Sequence, residues 1–327
     1  VIARSSIVFS VLGLAFLAAV GNAPAVVRRD DQPDSLYRSL GRSAAFKSVG
    51  RVEIDYGRGY EAIGTATLYG RDRVVSAAHV FDDSSLAGAR RVRINFGKGR
   101  TRTIDFTSVG TVNINPRYNP RTLKNDLSVA FLSRPFNLAP ARIYTGRKLS
   151  LDSRITFVGY GDTGTGLTGS STYSTKKRGG ENAVGRYLLR GRDFEVDFDR
   201  AGTSRYNSLG SPVAMRLEGL LGPGDSGGSA WVYRNGRWRM VGINSYGLDW
   251  FPRGNGNGVS DDYGDRSGFV YLPRYSRWLD SLSNPSAQAA SRSVSAQLAA
   301  VPEPGTLGLV AAAGLVGGLL LRRRRNG

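Results

Sequence analysis

The 327-residue chain has no cysteine and a single histidine. Without cysteine there is no thiol nucleophile, no thiolate metal site and no disulfide staple. Small exported domains often depend on disulfides, yet a domain of more than about 200 residues buries enough apolar surface to fold without them, so this absence does not fix the compartment. Regular helical periodicity is scarce as well, whereas glycine is abundant at 43 residues. Short β-branched runs separated by turns point to an all-β domain. Acidic residues are outnumbered, 26 against 45 Lys and Arg, for a formal charge of +19. A field of that sign favours anionic polymers or membrane surfaces, which makes an anionic exopolysaccharide or the cell surface a candidate partner. The basic residues are scattered through many strands with no nucleic-acid motif, so nucleic acid is not an expected partner.

The most informative stretch is Gly222-Pro223-Gly224-Asp225-Ser226-Gly227-Gly228. Glycines on both sides of Ser226 let the backbone turn sharply and leave the hydroxyl exposed beside amide N–H groups. A serine hydroxyl is a weak nucleophile unless a base takes its proton. The sole histidine, His79, ends a short β-branched run in Val74-Val75-Ser76-Ala77-Ala78-His79. A carboxylate able to hold that imidazole is Asp126, at the mouth of the apolar run Leu127-Ser128-Val129-Ala130-Phe131-Leu132. Taken alone, each of the three has a bland reading as a turn or core residue. Together, in the order His, Asp, Ser, they form a nucleophile, base and orienting acid.

Ala77-Ala78-His79, Asn125-Asp126-Leu127 and Gly224-Asp225-Ser226-Gly227-Gly228 resemble the three signatures of the chymotrypsin/trypsin-like serine peptidases, and their order is that family's. The resemblance implies two packed antiparallel β-barrels with a C-terminal helix, and hydrolysis of peptide bonds through an acyl-enzyme. It implies His79 as base, Asp126 as its orienter, Ser226 as nucleophile and the amides of Gly224 and Ser226 as oxyanion hole, with no metal or cofactor. By the same resemblance the floor of the specificity pocket falls at Leu220, its wall at Ser245-Tyr246-Gly247, and Gly268 lies across from it. An apolar floor with open walls predicts cleavage after Phe, Tyr, Leu or Met. One of Asp261, Asp262 or Asp265, in an insertion that aligns loosely, could reach the pocket and reverse that preference. The family's usual Ile-Val-Gly-Gly start, whose new amino terminus pairs with the aspartate matching Asp225, does not precede Val52, which leaves the partner of Asp225 open. The Asp261-to-Asp265 loop lacks the spacing of a calcium hand and reads as a solvated insertion.

The rest of the chain divides by composition. Residues 1–25 read as a signal peptide, with Arg4, an apolar run from Ile7 to Val20 and the small-x-small site Ala23-Pro24-Ala25. Residues 26–47 read as a pro-segment or flexible lead-in, 48–283 as the peptidase domain and 284–301 as a linker. Asp162 to Gly185, rich in Gly, Ser and Thr, reads as a long surface loop. Asn235-Gly236 marks a hairpin, and Tyr275, Trp278, Leu279 and Leu282 fall at helical spacing. Residues 302–327 begin with Pro302-Glu303-Pro304 and continue with an apolar stretch over 306–321 and four arginines. This resembles the bacterial PEP-CTERM sorting tail, which implies export across the inner membrane, a transient transmembrane anchor, processing by sorting machinery and a surface or extracellular destination. The expected activity is an exported serine endopeptidase acting on protein or peptide substrates. The alternative is a non-catalytic matrix-binding protein on the same fold.

Overall fold

The computed structural model of the protein describes residues 26–108, 110–172, 174–248 and 259–283. The expected leader, linker and sorting tail, with the transmembrane stretch 306–321, lie outside the described residues. Strand β1 (Val27–Arg28) is followed by helix α1 (Asp34–Gly41) and a 3₁₀ turn at Ala44–Phe46. Seven strands then build the first curled sheet: β2 (Val49–Asp55), β3 (Tyr60–Gly70), β4 (Arg73–Ser76), β5 (Arg91–Asn95), β6 (Thr101–Ile104), β7 (Val112–Ile114) and β8 (Ser128–Phe131). They lie in the order β6-β5-β2-β3-β4-β8-β7, and every neighbouring pair is antiparallel. In β5 the alternation Arg91-Val92-Arg93-Ile94-Asn95 sends Val92 and Ile94 into the core and the polar residues outward.

The second half contains β9 (Arg154–Gly159), β10 (Thr163–Thr165), β11 (Gly169–Thr172), β12 (Arg178–Ala183), β13 (Arg186–Leu188), β14 (Asp193–Asp197), β15 (Gly219–Leu220), β16 (Ser229–Arg234), β17 (Arg237–Leu248) and β18 (Arg266–Tyr271). Its main sheet runs β12-β9-β16-β17-β18-β14-β13, again antiparallel throughout. The turn between β16 and β17 is Asn235-Gly236, both at positive φ, the conformation a two-residue hairpin needs. A buried core fills each half. Ile54, Leu68, Val75, Leu127 and Phe131 belong to the first, and Phe157, Phe194, Val196, Phe198 and Phe269 to the second. Phe194 and Phe269 stack with ring centroids 4.9 Å apart. Each such side chain contributes about 1.5–3 kcal/mol by leaving water. A 3₁₀ turn at Leu272–Tyr275 and helix α3 (Ser276–Ser281) close the domain, with Tyr275 and Leu279 buried as their spacing predicts. The all-β, two-half-barrel architecture matches the expected fold class. Among the described residues no helix is long and apolar enough to cross a membrane.

Three sequence expectations need correction. The segment Asp261 to Asp265, expected as a solvated insertion, is buried throughout, with the Tyr263 ring packed on Phe198 at 4.6 Å between centroids. Residues 26–47 are built into the fold: Val26, Val27, Tyr37 and Phe46 are fully buried, and β1 is inserted between β10 and β15 in a four-stranded sheet of order β11-β10-β1-β15. Residues 162–185, expected as a surface loop, carry strands β10, β11 and β12. Their low hydropathy misleads because glycine supplies the contact. A Cβ on Gly41 of α1 would meet the Arg178 backbone and one on Gly180 would meet the Phe157 ring, so bare backbone lets helix and strands close up.

Candidate active site

Strand β4 delivers the histidine. After Ser76 the chain enters a 3₁₀ turn, Ala78–Val80, with Ala78 and Val80 buried and the His79 side chain 27% exposed. Strand β8 pairs with β4 and starts two residues after Asp126; Ser128 Oγ donates to the Ala77 carbonyl at 2.8 Å, pinning the two strand ends together. Asp126 is fully buried. Its Oδ2 lies 2.7 Å from His79 Nδ1 and accepts from Ser245 Oγ at 2.6 Å, while Oδ1 accepts the His79 backbone N–H at 3.0 Å. Both carboxylate oxygens are thus used to orient one imidazole. Burial disfavours the imidazolium, but the charge of Asp126 and its hydrogen bond outweigh that, and the His79 pKa is raised above the ordinary imidazole value.

The serine comes from the other half. Ser226 occupies a tight turn between β15 and β16, and its carbonyl accepts from Thr65 N at 2.8 Å, so the turn rests on β3 of the first half. Thr65 Oγ1 also donates to the Gly224 carbonyl at 3.1 Å. Gly227, at φ +78°, sits against Ser76 and Thr65 where a Cβ would collide with both. The sequence Ser-Gly-Gly therefore lets the Ser226 turn approach the strand that leads into His79. Among the described residues the N–H groups of Gly224 and Ser226, the expected oxyanion donors, make no hydrogen bond.

Asp225 is fully buried, and it has a partner that the sequence does not reveal. Its Oδ1 accepts from Gly161 N at 2.9 Å; its Oδ2 accepts from Gly222 N at 3.0 Å and from Val26 N at 2.8 Å. Burial pushes the Asp225 carboxyl up to about 6 against the pull of these amides. Val26 itself has φ +51°, a strained conformation for a β-branched residue. The only sequence signal was the apolar pair Val26-Val27 directly after Ala23-Pro24-Ala25; the Arg28-Arg29 that follows hides it, since glycines are expected there.

Beside Ser226 lies a cavity of about 140 Å³ lined by Leu221, Gly222, Pro223, Ser245, Tyr246, Gly247 and Asp261. Ser245, Tyr246 and Gly247 thus stand where the wall was expected. Leu220 does not form the floor: it pairs with Val27 in the four-stranded sheet and is buried in the second core, and its neighbour Leu221 faces the cavity instead. The one-residue error reverses faces because side chains alternate along a strand. Gly268 is paired with Tyr246 across β17 and β18, and the Tyr246 ring lies over it, filling the space expected to be open. The Tyr246 hydroxyl donates to Glu195 at 3.1 Å. Of the three aspartates in the insertion, Asp261 is the one in the cavity wall, where Ser170 Oγ donates to its Oδ2 at 2.7 Å.

A family model described as trypsin matches residues 41–208, just over half of the chain, and one for the PEP-CTERM protein-sorting motif matches residues 300–325. The first match contains His79 and Asp126 and ends before Ser226. Among curated proteins none matches the chain.

Proposed function

The chain belongs to the trypsin family, and from that premise we propose that it is an exported serine endopeptidase in which His79, Asp126 and Ser226 act as one unit. The observation that carries this reading is the 2.7 Å contact of His79 Nδ1 with buried Asp126, which directs the other ring nitrogen away from the carboxylate, while Gly227, next to Ser226, packs against Ser76 and Ala77 of the segment that leads into His79. His79 takes the proton as Ser226 Oγ attacks a peptide carbonyl and returns it to the leaving amine; water then releases the acyl group by the same path. Asp126 fixes the tautomer and stabilises the imidazolium. The amides of Gly224 and Ser226 stabilise the oxyanion, about 2.7–4 kcal/mol for each donor in comparable sites. Reaction of the exported protein with a fluorophosphonate probe tests the assignment: labelling of wild type but not of Ser226→Ala supports it, and absence of labelling in wild type favours a non-catalytic matrix-binding protein.

Removal of the leader after Ala25 would turn the Val26 amide into an ammonium in place, 2.8 Å from a buried carboxylate. It would also relieve the positive φ of Val26, because an amino terminus has no preceding peptide to clash with. On this reading the export cleavage is the activating cleavage, and 26–47 is mature domain, not pro-segment. Amino-terminal sequencing of the active enzyme should begin at Val26; an active form that starts elsewhere overturns it.

The PEP-CTERM motif marks an exported protein with a C-terminal sorting tail. Transient anchoring by 306–321 and later loss of the tail follow from its apolar stretch and arginines, and a mass spectrum of the released form should lack Arg322 to Arg325. For specificity, the apolar preference depended on Leu220 at the floor. With Leu220 in the core and the Asp261 carboxylate in the cavity wall, cleavage after Lys or Arg is the better-supported preference, since a cation there gains a charge-assisted partner. Peptide-library profiling decides it: dominant cleavage after Phe, Tyr or Leu restores the apolar reading.

A further inference from the structure

A second cavity, of about 540 Å³, shares no lining residue with the one beside Ser226. Seven cations from four places in the chain converge on it: Arg38 in α1 and Arg42 after it, Lys47 after the 3₁₀ turn, Lys98 and Arg100 in the β5–β6 turn, and Lys176 and Lys177 before β12. No carboxylate stands among its described lining residues. Arg38 is paired with Asp34 of its own helix, but none of the other six forms an ion pair with a described residue, whereas Arg51, Arg91 and Arg93 in the same half are all paired with Glu53 or Asp55. Folding has therefore gathered like charges that repel one another across a concave wall, where a low-dielectric lining focuses the field.

The wall is also built to receive a ligand. Phe96 and Tyr160, both largely buried, contribute apolar surface to the lining. Lys177 is held in place, with its ammonium donating to the carbonyls of Phe46 at 3.0 Å and Val49 at 2.5 Å and lying 5.3 Å from the Tyr160 ring centroid. Burial and the neighbouring Arg100 charge push its pKa down to about 7, and a carboxylate seated in the cleft would relieve that strain on the charged form. Tyr160 then links the cleft to the nucleophile turn. Its N–H donates to Thr65 Oγ1 at 3.1 Å, and Thr65 holds the carbonyls of both Gly224 and Ser226; the next amide, of Gly161, donates to Asp225.

We propose that this cleft is an exosite for an acidic segment of the polypeptide substrate, a run of Asp and Glu residues interspersed with apolar ones, remote from the scissile bond. The proposal rests on the peptidase reading above. A polypeptide is the occupant favoured here because apolar lining among the cations suits a segment with apolar side chains between carboxylates better than a uniformly polar polyanion. The segment raises the local concentration of the peptide bond without touching the reacting atoms.

The test uses the full exported enzyme and two fluorogenic peptides with one cleavable sequence, one extended by a short Asp/Glu/Phe segment and the other by its Asn/Gln/Phe counterpart. The acidic extension should lower KM about tenfold at low salt with kcat unchanged, and the advantage should disappear near 1 M salt, where the screening length is about 3 Å. The variant Arg42→Gln/Arg100→Gln/Lys176→Gln should cleave the neutral peptide like wild type and lose the advantage. Equal KM values for the two peptides, or an advantage kept by the variant, overturns the proposal. Binding of the acidic segment to Ser226→Ala, followed by fluorescence anisotropy, is independent of catalysis, so it still decides if neither peptide is cleaved. Tighter competition by polygalacturonate than by the free acidic peptide reassigns the cleft to an acidic polysaccharide and overturns the substrate-segment proposal.

Discussion

The two halves of the molecule treat several of their buried carboxylates in opposite ways. In the first half burial pushes Glu53 up, but Arg51, Arg93 and Asn95 outweigh it and hold its carboxyl below the usual range; Arg91 with two loop amides does the same for Asp55. In the second half Glu181 and Glu195 also meet arginines, Arg154 and Arg186, but at three other acids burial dominates. Asp193 and Asp199 are pushed up to about 7 and Glu218 to about 8. Several of these acids accept main-chain N–H groups where the sheet supplies no ladder: Asp197 holds Ser208 and Leu209, and Glu218 holds Met215 and Asp199, which fixes the non-repetitive stretch between β14 and β15. The difference teaches that a carboxylate's linkage to pH is set by what it meets after folding. Lowered groups give stability that is present above the unfolded value near 4 and lost as pH falls; raised groups give stability that is present below it and lost as pH rises toward 7 or 8. The candidate site draws a carboxylate from each half: Asp126 from the first, against His79, and Asp225 from the second, holding Val26, Gly161 and Gly222.

The largest expected effect tests whether the halves act as one unit. Ser226→Ala and His79→Ala, one from each half, should each lower kcat about 10⁶-fold, and the double variant should be scarcely worse than either; multiplicative losses in steady-state assays would separate the halves. Next, Asp126→Asn should cost about 10⁴-fold through the wrong imidazole tautomer. Since Asp126 raises the His79 pKa, the wild-type rate should climb with pH through a value above the ordinary imidazole range, as the base loses its proton. In Asp126→Asn that acid limb should move to lower pH, and an unmoved limb argues against the pairing.

Asp225→Asn sharpens the comparison from the other side. Losing one member of a buried ion pair costs about 3–5 kcal/mol, so if the turn is held by a Val26 ammonium, kcat/KM should fall by about two to four orders of magnitude with the fold retained. The same pairing predicts loss of activity at high pH, as the terminal ammonium, raised by its partner above the usual value of about 8, gives up its proton. An acetyl group on Val26 should mimic that loss at neutral pH, and full activity of the acetylated enzyme would sink the activation reading.

The smallest effects break the comparison itself. Glu53→Gln should destabilise by about 1–3 kcal/mol at pH 7, because paired guanidinium groups lose their acceptor. Asp199→Asn should instead stabilise at pH 8 by on the order of 1 kcal/mol and flatten the decline between pH 4 and 8, since it removes a buried charge whose Oδ1 has no partner among the described residues. Denaturant midpoints across pH read both, and the same sign for the two variants would dissolve the distinction.

The sequence by itself determined what is local. The alternation in β5 and the Asn235-Gly236 turn set strands and hairpins, the helical spacing of Tyr275 and Leu279 set the closing helix, and the glycines around Ser226 set a turn that exposes a hydroxyl. Residue chemistry also singled out His79, because a chain with one histidine has one imidazole base. Tertiary structure alone decided the contacts between distant segments. Val26 and Asp225 are 199 positions apart, and nothing in Val26-Val27-Arg28-Arg29 specifies a carboxylate partner until β1 enters the sheet beside β15. Whether Leu220 or Leu221 faces the cavity depends on a strand register that alternation leaves ambiguous by one. Arg42, Arg100 and Lys177 read as scattered charges along the chain and become one cleft only when α1, the β5–β6 turn and the approach to β12 pack together. Periodicity and turn chemistry act over a few residues; register, burial and converging charge exist only once the halves have closed on each other.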